Sequence, residues 1–310
     1  MVDAGARDPA WLLPILRRHG LISDEPGWSI ALAPGGSTDR TFRVSGPGDD
    51  VSLTVRLARP GLHRWLRHEA DVLHELAAVG GACTPREIVR ISDPELPEGE
   101  MIVHDHLRGE PAPLRELSPD ARDRLGGCLE VVHRAVRTGY MVWPSLDVRQ
   151  GTRADAYRAR VEVLTRFRAA REGLAEIDAR VEALRRVDLP AAAGWDEPIF
   201  SLLHGDLSAG NILWDGETPT LIDWEFARDG DPAEDLAYLT SEARLEPEQL
   251  ADVAEGYVSA GGEAWAFARV PVWLPLVRLD AALWWADYWL DRGVDPLTTA
   301  EVRARLGAGE

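Results

Sequence analysis

The chain has 310 residues, 45% of them hydrophobic, and a formal net charge of −18 at pH 7. That length allows a sizeable buried core and two lobes, and the acidic balance disfavours nonspecific binding to nucleic acid or to an anionic membrane. No apolar run approaches about 18 residues and no basic start leads into an apolar stretch, so a membrane span and a secretory signal are not expected and a cytoplasmic location is.

All 34 basic residues are arginine, and the two cysteines, Cys83 and Cys128, show no metal-ligand spacing. Residues 9–20 read as a short amphipathic helix stopped by Gly20. A strand over 28–34 runs into Gly35-Gly36-Ser37-Thr38, a second strand follows at 41–45, and a third at 51–57 after Gly46-Pro47-Gly48. Gly35, Gly36 and Ser37 make either a plain tight turn or a loop whose N–H groups approach phosphate oxygens. The third strand carries Arg56, and the helix expected over 63–79 carries Glu69.

A strand over 101–107 then meets Gly109, Pro111 and Pro113, a natural hinge. It divides the chain into a lobe of residues 1–107 and a larger lobe of residues 108–310. Over 119–138 the positions Leu125, Leu129, Val132, His133 and Val136 recur at helical spacing, with His133 read as a core histidine. The Arg/Glu/Ala-rich stretch 152–186, interrupted at Gly173, reads as a solvated helical face.

The densest chemistry lies in Leu203-His204-Gly205-Asp206-Leu207-Ser208-Ala209-Gly210-Asn211-Ile212-Leu213 and in Thr220-Leu221-Ile222-Asp223-Trp224-Glu225. Two short apolar strands deliver Asp206, Asn211 and Asp223. Asp206 is suited to take a proton from a hydroxyl, and Asn211 and Asp223 offer hard oxygens to Mg²⁺. An Asp, an Asn five residues on, and a later metal-binding Asp is the order of parts in phosphoryl transfer. His204 and Asp235 read as braces of the loop.

Five of the twelve tryptophans fall in the helical C-terminus, at Trp265, Trp273, Trp284, Trp285 and Trp289, accompanied by Asp280, Asp287 and Asp291. Most of these rings belong in a core. Asp280, Trp284 and Asp287 are the expected contacts to an ammonium-bearing or sugar acceptor, through stacking and cation–π attraction.

The run His-Gly-Asp-Leu-x-x-x-Asn-Ile-Leu, then Ile-Asp-Trp-Glu, then Gly230-Asp231-Pro232-Ala233-Glu234-Asp235-Leu236-Ala237 resembles the aminoglycoside phosphotransferase and choline kinase group. The strong block covers about 200–240, with weaker likeness from about 10 to 290. The resemblance implies an α+β, two-lobed protein-kinase-like fold with a small antiparallel-sheet lobe and a larger helical one. It implies ATP or GTP as phosphoryl donor, Mg²⁺ as cofactor, and a small, cationic, hydroxylated acceptor. An amino sugar or aminoglycoside-like antibiotic leads, with choline-like, amino-acid or sugar acceptors and a nucleotide-binding pseudokinase as alternatives. Asp206 would be the catalytic residue, and Asn211 and Asp223 the metal ligands. The 35–37 loop, Arg56 and Glu69 would hold phosphates, and backbone groups near Asp105 and Leu107 the purine. Arg56 stands where that group has a lysine, a swap that keeps charge but changes shape.

Overall fold

The computed structural model describes residues 8–33, 39–48, 52–58, 63–79, 83–86, 88–169, 175–189 and 193–307. The expected loop residues Gly35, Gly36 and Ser37 lie outside them. The chain forms two compact units, one of residues 1–110 with 220–225, the other of 111–219 with 226–310.

The first unit runs α1 (Leu12–Arg18), β1 (Ser29–Leu32), β2 (Asp39–Ser45), β3 (Ser52–Ala58), α2 (His63–Val79), β4 (Val89–Ser92) and β5 (Glu100–Asp105). The strands pair antiparallel in the order β1-β2-β3-β5-β4. Strand side chains alternate between faces, and the sequence uses the alternation fully. Phe42, Val44, Val55, Leu57, Met101 and Val103 share one face and close a core with Leu12, Ile15 and Leu16 of α1. Each such buried residue contributes about 1.5–3 kcal/mol. Arg56, set between Val55 and Leu57, turns to the other face together with Ile102, its partner in register. There α2 buries Leu66, Ala70 and Leu73, and their spacing of four and three residues puts Glu69 in the same helical stripe.

The second unit begins within β6 (Glu110–Pro111) and continues through α3 (Pro119–His133), β7 (Val136–Arg137), α4 (Arg153–Ala169), α5 (Ala175–Arg185), β8 (Phe200–Leu203), β9 (Ile212–Trp214) and β11 (Arg228–Gly230), while β10 (Pro219–Leu221) passes at Thr220 into the 220–225 segment of the first unit. It closes with α6 (Pro232–Glu242), α7 (Pro247–Ser259), α8 (Trp265–Leu290) and α9 (Ala300–Leu306). Ser118 caps α3 by accepting from the Ala121 N–H at 3.2 Å, with Pro119 in the first turn, where its missing N–H costs nothing. Helical periodicity extends α3 to residue 138, but the helix stops at His133. Val136 and Arg137 are captured by β8, pairing with Ser201 and Phe200, so Val136 leaves the apolar face and is exposed. Pairing across the chain outweighs local spacing there. Tyr157, Trp195 and Trp273 form an aromatic core with ring centroids 5.1–6.2 Å apart. The solvated-face reading of 152–186 is corrected in part, since α4 buries Arg153 and Arg160 beside Ala156 and Tyr157. Among the described residues no helix is long and apolar enough to cross a membrane.

Candidate active site

In the second unit the site grows from β8, all four residues of which are buried. The chain leaves the strand at His204 and turns at Gly205, whose φ of 84° is left-handed. A Cβ there would lie 2.2 Å from the Phe226 carbonyl oxygen, so only glycine fits. The turn hangs from Asp235 of α6, which is wholly buried. Its Oδ2 accepts from the His204 N–H at 2.7 Å and its Oδ1 from the Gly205 N–H at 2.9 Å. His133 Nε2 lies 3.1 Å from the same carboxylate, and His133 Nδ1 lies 3.2 Å from the Tyr257 hydroxyl. Burial pushes the Asp235 carboxyl up, but the His133 hydrogen bond and charge, the nearby His204 and the Gly205 N–H outweigh it and hold the group below its ordinary value. His204 Nδ1 accepts from the Asp206 N–H at 3.3 Å. The Asn211 side chain donates through Nδ2 to the Asp206 carbonyl and to Asp206 Oδ2, both at 2.9 Å. Asp206 is therefore half-buried on a loop fixed at both ends, with one carboxylate oxygen oriented by Asn211.

Arg228 completes this support. Its Nη2 donates to Glu234 at 2.8 Å and its Nη1 to the Phe226 carbonyl at 3.0 Å and the Gly205 carbonyl at 3.4 Å. Arg160 meets the same Glu234 at 2.8 Å and reaches Asp280 of α8 at 2.8 Å. Burial tends to depress the guanidinium of Arg160, but the two carboxylates raise it far above the ordinary value. Asp231 caps α6 through the Ala233 N–H and takes a two-pronged ion pair from Arg269 at 2.9 and 2.7 Å plus the Trp273 Nε1 at 3.0 Å. Arg160, Arg228, Arg269 and Glu234 are absent from the expected site. The available signal was the Gly-Asp-Pro turn opening α6, which marks a capped and anchored helix start.

The expected acceptor residues lie along α8. Asp280 takes hydrogen bonds from Arg160 and the Tyr238 hydroxyl, so its Oδ2 is committed within the unit. Trp284 is 43% exposed and stacks on Tyr288 with centroids 6.0 Å apart at 17°. Asp280, Trp284 and Asp287 repeat at helical spacing on one face.

In the first unit Arg56 is only 7% exposed and Glu69 1%. The guanidinium spans two carboxylates, with Nη1 2.6 Å from Glu69 Oε1 and Nη2 2.7 Å from Asp223 Oδ1. Glu69 Oε1 also accepts from the Trp224 N–H at 3.3 Å, which ties the 220–225 segment to α2. Asp223 itself adopts a left-handed φ of 68°, a conformation that aspartate tolerates better than most residues. His104 neighbours this group and is held down to about 4, first by burial, with the Arg56 charge adding to it and a hydrogen bond at the Asp105 carbonyl opposing it. At the end of β5, Asp105 Oδ1 accepts from the Arg86 N–H at 2.7 Å, and Leu107 is half-buried.

No cluster of three or more His, Cys, Asp or Glu suited to a metal occurs among the described residues. The hard oxygens come singly. With Nδ2 used on Asp206, Asn211 keeps Oδ1, and with Oδ1 used on Arg56, Asp223 keeps Oδ2. Single protein oxygens completed by substrate phosphates are how Mg²⁺ is commonly held, so these residues fit that ion.

A five-stranded antiparallel sheet with one main helix, followed by a helical unit bearing the Asp206–Asn211 loop, defines a protein-kinase-like fold. The model of the phosphotransferase enzyme family matches residues 29–271, and the chain belongs to that family. A thiamine kinase of Escherichia coli O157:H7 is 29% identical over 205 residues, 64% of this chain. The match spans 65% of that relative's length. Among solved structures, a choline kinase of Cryptosporidium parvum superposes with a TM-score of 0.68 at 15% identity, covering 97% of this chain and 94% of the other. A spectinomycin phosphotransferase in complex with ADP and spectinomycin gives a TM-score of 0.60 at 13% identity, covering 96% and 93%.

Proposed function

We propose that this protein transfers the γ-phosphoryl group of ATP or GTP to a hydroxyl of a small cationic molecule. The observation that carries the proposal is the Asp206–Asn211 pair, a carboxylate with one oxygen fixed at 2.9 Å on a loop suspended from buried Asp235. Asp206 accepts the proton of the acceptor hydroxyl as its oxygen attacks the γ-phosphorus. The bond from that phosphorus to the bridging oxygen breaks, and the nucleoside diphosphate departs. Bound Mg²⁺ would neutralise phosphate charge, with Asn211 and Asp223 as ligands. Arg56, oriented by Glu69, and the 35–37 loop fix the phosphates, and backbone groups near Asp105 and Leu107 hold the base.

The acceptor reading rests on α8. An exposed indole flanked at helical spacing by two carboxylates suits a cation bearing a hydroxyl. Thiamine, choline and spectinomycin, named for the relatives, share a cationic nitrogen and a hydroxyl. An amino sugar or aminoglycoside-like compound belongs to the same chemical class, and a role in antibiotic resistance would follow from it. The decisive experiment is turnover of labelled ATP and GTP against a panel of amino sugars, choline, thiamine and neutral sugars. Asp206→Asn should cut kcat by roughly 10²-fold or more, as for loss of a general base, with nucleotide affinity nearly unchanged. Wild-type turnover by that variant would remove Asp206 from the chemistry. A second reading, nucleotide binding without transfer, draws on Arg56, both of whose Nη atoms are engaged by carboxylates. Nucleotide binding with no turnover on any acceptor would favour it.

A further inference from the structure

Away from these residues the second unit holds a groove of about 730 Å³ walled by Arg115, Arg244, Arg278, Arg303 and Arg305. Among the described residues the only carboxylates in the wall are Glu242 and Glu246, so the formal charge of these wall residues sums to +5 − 2 = +3 within a chain of −18. Two arginines are matched. Arg115 lies 2.8 Å from Glu246, and Arg305 is paired with Glu242. Arg244, Arg278 and Arg303 are exposed and have no ion pair among the described residues.

Arg244 adds an independent observation. It follows the Ala243 cap of α6 with a φ of 51°, the only described residue besides Asp223 that is left-handed without being glycine. Glycine or asparagine is the usual choice at that position. Arginine there accepts backbone strain and sets a guanidinium in the groove wall.

Gathering three unmatched guanidiniums in one concavity focuses a positive field there and concentrates anions. Their planar N–H forks match phosphate oxygens. The volume falls within the range of about 300–1,000 Å³ that holds metabolite-sized ligands, larger than one phosphate ion needs. We propose that this groove is a second binding site, for a small organic anion carrying at least two phosphate groups. The proposal does not rest on the phosphotransferase reading.

Pyrophosphate is the probe, with inorganic phosphate as comparison, titrated into the full chain while the arginine Nε–H resonances are followed by NMR. Resonances lost in Arg244→Gln, Arg278→Gln and Arg303→Gln should be among those that shift. The triple variant should raise the Kd read from the groove signals by roughly tenfold or more, as for loss of charge-assisted hydrogen bonds. Arg166→Gln with Arg186→Gln, which removes two exposed arginines elsewhere, should leave it unchanged. Asp206→Asn should also leave it unchanged. Ala304→Glu, which sets a carboxylate into the wall, should weaken binding and serves as the test if the triple variant fails to fold. Wild-type affinity in both the triple variant and Ala304→Glu would overturn the proposal. So would equal loss in the control arginine variant, or inorganic phosphate binding as tightly as pyrophosphate.

Discussion

Replacing Arg56 with methionine keeps most of the side-chain volume while deleting the charge that holds two carboxylates together. Glu69 is 1% exposed and would be left as a buried charge without its cation. Breaking a buried pair from one side costs about 3–5 kcal/mol. The second contact adds less, because the Asp223 side chain is 30% exposed and water recovers part of the loss. Arg56→Met should therefore cost about 4 kcal/mol, enough to lower Tm by roughly 6 °C in a chain of this size. Arg56→Met with Glu69→Gln should regain at least half of that, since the stranded charge disappears. Denaturant unfolding of wild type, both single variants and the double variant gives the coupling energy directly. NMR adds a local readout. His104 titrates at about 4 in part because of the Arg56 charge, so its titration should move upward in Arg56→Met. A single variant costing under about 1 kcal/mol, or a His104 titration that does not move, would refute the electrostatic account of this group.

Three further outcomes are expected. Gly205→Ala should destabilise the second unit by at least about 3 kcal/mol in urea unfolding, because a Cβ 2.2 Å from a backbone oxygen displaces the loop that carries Asp206. Trp284→Ala should change Tm little, as the residue is 43% exposed, yet raise the acceptor KM well above its effect on the nucleotide KM. An unaltered acceptor KM would detach α8 from acceptor binding. Stability should also fall as pH drops from about 6.5 to about 4, because His104 binds its proton near 4 when folded and near 6.5 when unfolded. The unfolded chain takes up the proton first, so the contribution is complete above about 6.5, is lost on the way down, and amounts to about 3 kcal/mol. Unfolding curves of wild type and His104→Gln across that range check it, with the variant expected to show the shallower slope.

Four of the five strands of the first unit were legible because their alternation is regular, whereas β4 at Val89–Ser92 was not expected. Val55 and Leu57 around Arg56 require the arginine to face α2, and Glu69 falls in the helical stripe opposite. Asp223 at Arg56 was not legible as a contact, since 167 residues separate the two and no local pattern links them. The buried arginines were hidden for a related reason. Arg160 sits among Glu, Ala and other Arg residues in a stretch that reads as solvated, and only the arrival of Glu234 and Asp280 from distant elements makes its burial favourable. Asp280 was singled out in the sequence as an acceptor contact among tryptophans, and the structure commits one of its oxygens to Arg160 and Tyr238. Helix α3 ran too long in the sequence reading because periodicity says nothing of the strand waiting at β8.

The Asp235 carboxylate joins positions 31 and 102 residues away, at His204 and His133, and through His133 it reaches Tyr257 of α7. The turn before Asp206 thus has no stable form of its own. It takes shape only once α3, α6 and α7 have come together, so the loop should be among the last parts of its unit to settle during folding. The same dependence governs its opening in the native state. Hydrogen exchange at the His204 and Gly205 amides should proceed through an opening smaller than unfolding of the whole unit, because the part that settles last is the first to come apart.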